Sequence, residues 1–155
     1  MDVPGAGAAV TPSAGAAADP YGDPQLMARL LTQAQVWAVV GLSTNSRRAA
    51  YGVAEVLQRK GRTIVPVHPK AEPVHGATGY PTLADVPVPI DVVDCFVNSS
   101  RVGSVVDDAI AVGAKAVWLQ LDVIDQAAAA RAAAAGLDVV MDRCPAIEGP
   151  RLGLW

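Results

Sequence analysis

The residues best suited to chemistry lie in two short loops and at a few strand ends. The first loop runs Gly41-Leu42-Ser43-Thr44-Asn45-Ser46-Arg47-Arg48-Ala49-Ala50-Tyr51. It joins a glycine, short hydroxyl and amide side chains and adjacent arginines to the start of an apolar-periodic helix. Backbone N–H groups at a helix N-terminus carry partial positive charge, so such a loop can cradle a phosphate. The same residues read equally as a solvated turn whose Ser and Asn only cap the helix. The loop is neither the G-x-G-x-x-G fingerprint nor the Walker sequence, because the second glycine and the Lys-Ser/Thr pair are missing.

The second loop reads Val67-His68-Pro69-Lys70. An NAD enzyme carries Asp or Glu at the end of its second strand to hold the ribose hydroxyls. A cation there instead suits a nucleotide with an extra phosphate, either NADP or the 3′-phospho-ADP of coenzyme A; the plain alternative is a surface lysine in a turn. His68 is of the type that exchanges protons near neutrality, but no acid in the motif orients it, so a loop hydrogen-bond donor is expected. His75, in a Gly-rich excursion, is expected to face solvent.

Cys144, beside Arg143, reads either as a reactive thiol at the same edge or as a small buried apolar group. Cys95 reads as packing, and Asp94 has no partner nearby in sequence. Gln120 ends a buried strand, where a polar side chain needs a reason to be, and Trp118 is expected to line the core with its indole N–H seeking a partner near the pocket. No nucleophile, base and orienting group occur together, so no catalytic residue is expected.

These residues need strands and helices to position them. Val36-Trp37-Ala38-Val39-Val40-Gly41-Leu42 is a continuous apolar run, the pattern of a strand buried on both faces. Further strands are predicted at 63–67, 92–97, 116–119 and 137–141. Helices are predicted after the first strand, ending at Gly61, at 102–111 closed by Gly113, and at 125–135 closed by Gly136. A lead-in helix with Asp23 as cap and Pro24 at its first position runs to about Gln33. The alternation implies an α/β Rossmann-like three-layer sandwich with a five-stranded parallel sheet, expected order 3-2-1-4-5, and a ligand crevice at the switch point between strands one and four.

The 155 residues suit one domain, assigned to 23–155, behind a disordered extension over 1–22 made of Ala, Gly, Pro and small polar residues. A net charge of -3 and a pI near 5.2 argue against nucleic-acid binding, which needs a basic face. The two cysteines are too few for a disulfide scaffold or a zinc site. No apolar run spans a bilayer and no leader is recognisable. A cytoplasmic protein is expected.

Taken jointly, several segments resemble the single-domain CoA-binding protein family. They are Val39-Val40-Gly41-Leu42-Ser43, Tyr51 with Val53, Val65-Pro66-Val67-His68-Pro69-Lys70, Gly76 with Tyr80-Pro81-Thr82-Leu83, Val93-Asp94-Cys95-Phe96, Trp118-Leu119-Gln120 and Met141-Asp142-Arg143-Cys144. That family is similar to the N-terminal domain of the succinyl-CoA synthetase α subunit. The resemblance implies non-catalytic binding of coenzyme A or an acyl-CoA. By position it assigns Gly41, Ser43, Asn45 and Arg48 to phosphates, Val67 and Lys70 to the adenosine phosphate side, Phe96, Val97 and Asn98 to adenine and ribose, and Trp118 and Gln120 to the pantetheine. Leu42, Thr44, Arg47, Tyr51, His68 and Pro69 complete the expected site. The chain departs from the family at His68, where Asn is usual, at Ala49-Ala50, where Pro-Ser is common, and at Gly149, where His tends to follow Ile-Glu. An NADP-binding enzyme or regulator, a homo-oligomer, and a CoA-binding subunit of a separately encoded ligase remain as alternatives.

Overall fold

Among the described residues the first element is α1 (Pro24–Gln33), which Asp23 caps by accepting the Gln25 N–H on its carboxylate. The computed structural model describes residues 21–155, so the predicted extension lies, up to residue 20, outside the described residues. Tyr21 does not belong to an extension: it packs on the core and its carbonyl accepts the Met141 N–H.

The strands β1 (Val36–Val40), β2 (Thr63–Val67), β3 (Val92–Cys95), β4 (Ala116–Leu119) and β5 (Asp138–Val140) form one parallel sheet. Helices α2 (Ala49–Arg59), α3 (Val102–Ala111), α4 (Gln126–Ala134) and α5 (Pro145–Arg151) complete the fold. Alternate strand residues point to opposite faces, and the two apolar clusters follow that rule. Ala38, Val65, Val93 and Val117 meet Val106 of α3 and the alanines Ala128, Ala129 and Ala132 of α4. Trp37, Val39, Val92, Trp118 and Val140 meet Met27 and Leu31 of α1 and Val53 and Leu57 of α2. The result is the predicted three-layer α/β architecture.

The strand order differs from expectation: it is β2-β1-β3-β4-β5, not 3-2-1-4-5. Pro66 gives the physical reason. Its carbonyl points away from β1 and accepts the Tyr80 N–H, while the next carbonyl, Val67, points inward to the Gly41 N–H. The proline nitrogen therefore faces outward, where a further strand would need a donor that proline lacks. β2 is the margin of the sheet, covered by Tyr80, whose carbonyl in turn accepts the His68 N–H. The connection from β2 to β3 carries only a 3₁₀ turn at Leu83–Asp85 and delivers β3 to the other side of β1. The switch point lies between β1 and β3.

Asp91 anchors this arrangement by accepting the Val36 and Gln35 N–H groups at 2.9 and 3.1 Å. Burial alone would raise its pKa, but these N–H groups, and then Lys115, outweigh it and hold the carboxyl below its ordinary value.

The helix α5 was not foreseen, because Gly149 and Pro150 sit inside it. Its glycine is enforced by a neighbouring ring. A Cβ on Gly149 would run into the indole ring of Trp155, which packs at that point of the helix. Gly149→Ala should therefore expel Trp155 and lower stability by about 1–3 kcal/mol, the usual cost of overpacking. Thermal melts check this, and the double variant with Trp155→Ala should recover part of the loss.

Candidate ligand-binding site

Two loops leave the carboxyl ends of β1 and β3 side by side and turn to opposite directions. Gly41 makes this close approach workable: it adopts φ +99°, and a Cβ there would lie 3.2 Å from Phe96 Cβ. Only glycine takes that backbone angle without strain.

Within the first loop the short polar side chains hold its shape. Ser43 Oγ accepts the Asn45 N–H and Asn45 Oδ1 accepts the Arg47 N–H. The N-cap of α2, Arg48, makes no side-chain capping bond. The loop after β2 is pinned by His75, whose ring lies 4.3 Å from that of Tyr51 and whose Nε2 is 2.8 Å from the Tyr51 carbonyl. His75 is thus half-buried and structural, against the expectation of a solvent-facing residue. At the far end of this loop Gly79 leaves room for the Glu72 carbonyl, which any side chain there would strike.

Between the loops lies a crevice of three adjoining compartments. The first, about 380 Å³, is lined by Gly41, Ser43, Thr44, Asn45, Arg48, His68, Lys70 and Glu72. The second, about 470 Å³, adds Pro69, Phe96, Val97, Asn98 and Arg101. The third, about 280 Å³, is the most apolar and runs past Ala49, Ala50, Phe96, Leu121 and Val123 to Gln120 and Cys144. Gly41 and Arg48 border all three. Such volumes are those of small-molecule sites.

His68 Nδ1 accepts the Lys70 N–H at 3.1 Å, so the neutral ring carries its proton on Nε2. The ring lines the first two compartments, and in the bond it makes here it accepts, where a donor role was expected. Asn98 Oδ1 accepts from both the N–H and the hydroxyl of Ser100 and so orders the start of α3. Ser99 Oγ accepts the Ile124 N–H and donates to the Asp122 carbonyl, tying the loop after β3 to the loop after β4.

Gly41, Ser43, Thr44, Asn45, Arg48, His68, Pro69, Lys70, Phe96, Val97, Asn98 and Gln120 therefore converge. Other expected residues lie elsewhere. Leu42 is fully buried in the core, Val67 is buried beside Tyr80, and Tyr51 is spent on His75. Arg47 is exposed and lines none of the three compartments. Trp118 is wholly buried beneath the site, and its indole N–H donates to the Arg143 carbonyl at 2.9 Å. It lies in the same apolar cluster as Cys144.

Sequence reasoning missed Glu72, Arg101, Leu121, Asp122 and Val123. All sit on loops outside the quoted motifs, and only the fold brings them in. Glu72 is the acidic residue that seemed absent after β2; its carboxylate accepts the Thr44 hydroxyl at 3.2 Å and bridges the two loops. Arg48 and Lys70 face it, so the first compartment remains cationic on balance. Among the described residues no cluster of His, Cys, Asp and Glu is arranged to hold a metal, and no helix is long and apolar enough to cross a membrane.

Residues 35–150 match the CoA binding domain family. The chain belongs to that family. Its fold is similar to that of a hypothetical protein from Pyrococcus horikoshii OT3, with 37% identity and a TM-score of 0.80 over 84% of this chain and 92% of that one. It is also 29% identical to the uncharacterized protein YneT of Bacillus subtilis (strain 168), over 74% of this CoA binding domain protein and 85% of YneT. A third likeness is to the dinucleotide forming acetyl-coenzyme A synthetase 1 of Ca. Korarchaeum cryptofilum, with 25% identity and a TM-score of 0.62, over 72% of this chain and 26% of the synthetase.

Proposed function

We propose that this protein binds coenzyme A or an acyl-CoA in the crevice and does not turn it over. The observation that carries the reading is the position of Arg48, shared by a polar compartment holding Lys70 and an apolar one leading to Cys144. Coenzyme A has that polarity: phosphates at one end, and a long, thin pantetheine ending in a thiol at the other. The pyrophosphate would lie against Gly41, Ser43 and Arg48, with His68 Nε2 as a donor. The 3′-phosphate would face Lys70, and the adenine would lie toward Phe96 and Val97.

A second reading, an NADP site, is favoured by the same lysine. A ligand that binds only the folded state raises its melting temperature, so melts with coenzyme A, acetyl-CoA, NADP and NAD discriminate. Stabilisation by NADP with none by coenzyme A would overturn the proposal. Lys70→Glu should weaken coenzyme A by about tenfold while leaving 3′-dephospho-CoA nearly unchanged, as expected for one charge-assisted contact. Equal weakening of both ligands would show that Lys70 does not read the 3′-phosphate. The ligase-subunit alternative predicts that a separately encoded synthetase co-purifies with the tagged chain.

A further inference from the structure

The third compartment contains two features that its role as a cleft for a flexible tail leaves unused. Gln120 is only 5% exposed, and its Oε1 has no hydrogen-bond partner. A buried amide oxygen without a partner costs about 1–3 kcal/mol, which a ligand donor entering the compartment would relieve. Cys144, 6% exposed, lines the same space. The compartment adjoins the phosphate end of the crevice through Gly41 and Arg48, with Phe96 standing where the apolar part meets the second compartment. A molecule anchored by its phosphates at Arg48 can therefore extend into the third compartment, the less polar of those that adjoin it. An unpaired amide and a thiol line it.

We infer that Cys144 is a thiol–disulfide exchange site for the thiol end of a ligand anchored at Arg48, with Gln120 accepting a hydrogen bond from an amide N–H of the ligand's tail. The inference rests on the coenzyme A reading. The co-reactant is the symmetric disulfide of coenzyme A. The Cys144 sulfur, as thiolate, attacks one sulfur of that disulfide. The bond between the two coenzyme A sulfurs breaks, a Cys144–S–S–coenzyme A bond forms, and the second coenzyme A leaves as a thiolate that takes up a proton from solvent. One disulfide is consumed and one is made, so no further oxidant is needed. A free thiol reverses the step.

The other cysteine does not compete. Cys95 is fully buried within β3, and its burial together with the neighbouring Asp94 pushes the thiol pKa up, so it stays protonated and unreactive.

The test uses the full chain, fully reduced, incubated with coenzyme A disulfide and followed by intact mass and peptide mapping. The expected result is one coenzyme A moiety per chain, mapped to Cys144, absent in Cys144→Ser, released by dithiothreitol, and formed at least about tenfold faster than the adduct with pantethine, which has the same tails without nucleotide. Mapping of the wild-type chain separates Cys144 from Cys95 even if the serine variant folds poorly. Thermal shift with coenzyme A runs in parallel. Stabilisation without an adduct overturns the exchange and leaves the binding reading standing; neither stabilisation nor adduct overturns both. Equal rates with pantethine overturn the guided step, because an anchored nucleotide would then contribute nothing.

Discussion

Replacing Arg48 with Glu is expected to weaken coenzyme A binding by on the order of a hundredfold while leaving the melting temperature of the free protein nearly unchanged. Arg48 borders each compartment of the crevice, so its guanidinium is placed to meet the pyrophosphate whichever way the rest of the ligand lies. A hydrogen bond to a charged group contributes about 1.5–3 kcal/mol, and every 1.4 kcal/mol is about tenfold in affinity. Reversal of sign adds repulsion to that loss. The fold should not notice: Arg48 is exposed and caps α2 through its backbone position alone. Calorimetric titration at low and moderate salt checks both parts, since a contact of this kind weakens with ionic strength. Arg48→Lys should fall between wild type and the glutamate variant. Arg47→Glu, one residue away but outside the crevice, should have little effect. If the two glutamate variants bind alike, a general basic field and not a specific contact holds the ligand.

The second large effect concerns Asp94. It sits in the middle of β3, fully buried between Val39 and Trp118 of the flanking strands, and neither carboxylate oxygen has a partner. Burial raises its pKa well above the ordinary value, because charge is far less stable away from water. An aspartate in the unfolded chain releases its proton near about pH 3.9. Between that pH and the folded pKa the native state holds one proton more than the unfolded state. Stability must then fall as pH rises, by about 1.4 kcal/mol per unit for one proton. Asp94→Asn should melt higher than wild type above neutrality and should show a flatter profile from about pH 5 to 8. Asp91 has the opposite sign: its contribution is lost only as acid protonates it, below this window. Parallel profiles for wild type and Asp94→Asn would refute the assignment.

Much of the scaffold was readable because burial on both faces leaves a plain signature. Thr63–Val67 and Ala116–Leu119 are apolar runs with clear ends, and Val102–Ala111 has its helical stripe closed by Gly113. What failed was the assembly of those strands. The segment between β2 and β3 has no periodicity to follow, and the decisive mark is the single residue Pro66, whose missing donor bars a strand from the outer side of β2. The site divides along similar lines. Motif residues at the strand ends, such as Gly41, His68 and Asn98, lie in the crevice. Trp118 and Leu42 belong to the packed interior, where strand direction turns side chains away from the crevice. Glu72, Arg101 and Leu121 are brought in by loop geometry, for which single residues on a variable connection give no pattern.

The covering of the outer strands has a further consequence. β2 is shut by Pro66 and by the Tyr80 backbone, and past the end of short β5 the Met141 N–H is taken by the Tyr21 carbonyl. Exposed strand margins are where one molecule templates its backbone onto another, the route to domain exchange and fibrous aggregates. Here the β2 margin is closed by the chain's own backbone, and the chain just past β5 is tied by one backbone bond. Templating along β2 is thereby blocked, and strand addition there would first have to displace the Tyr80 segment.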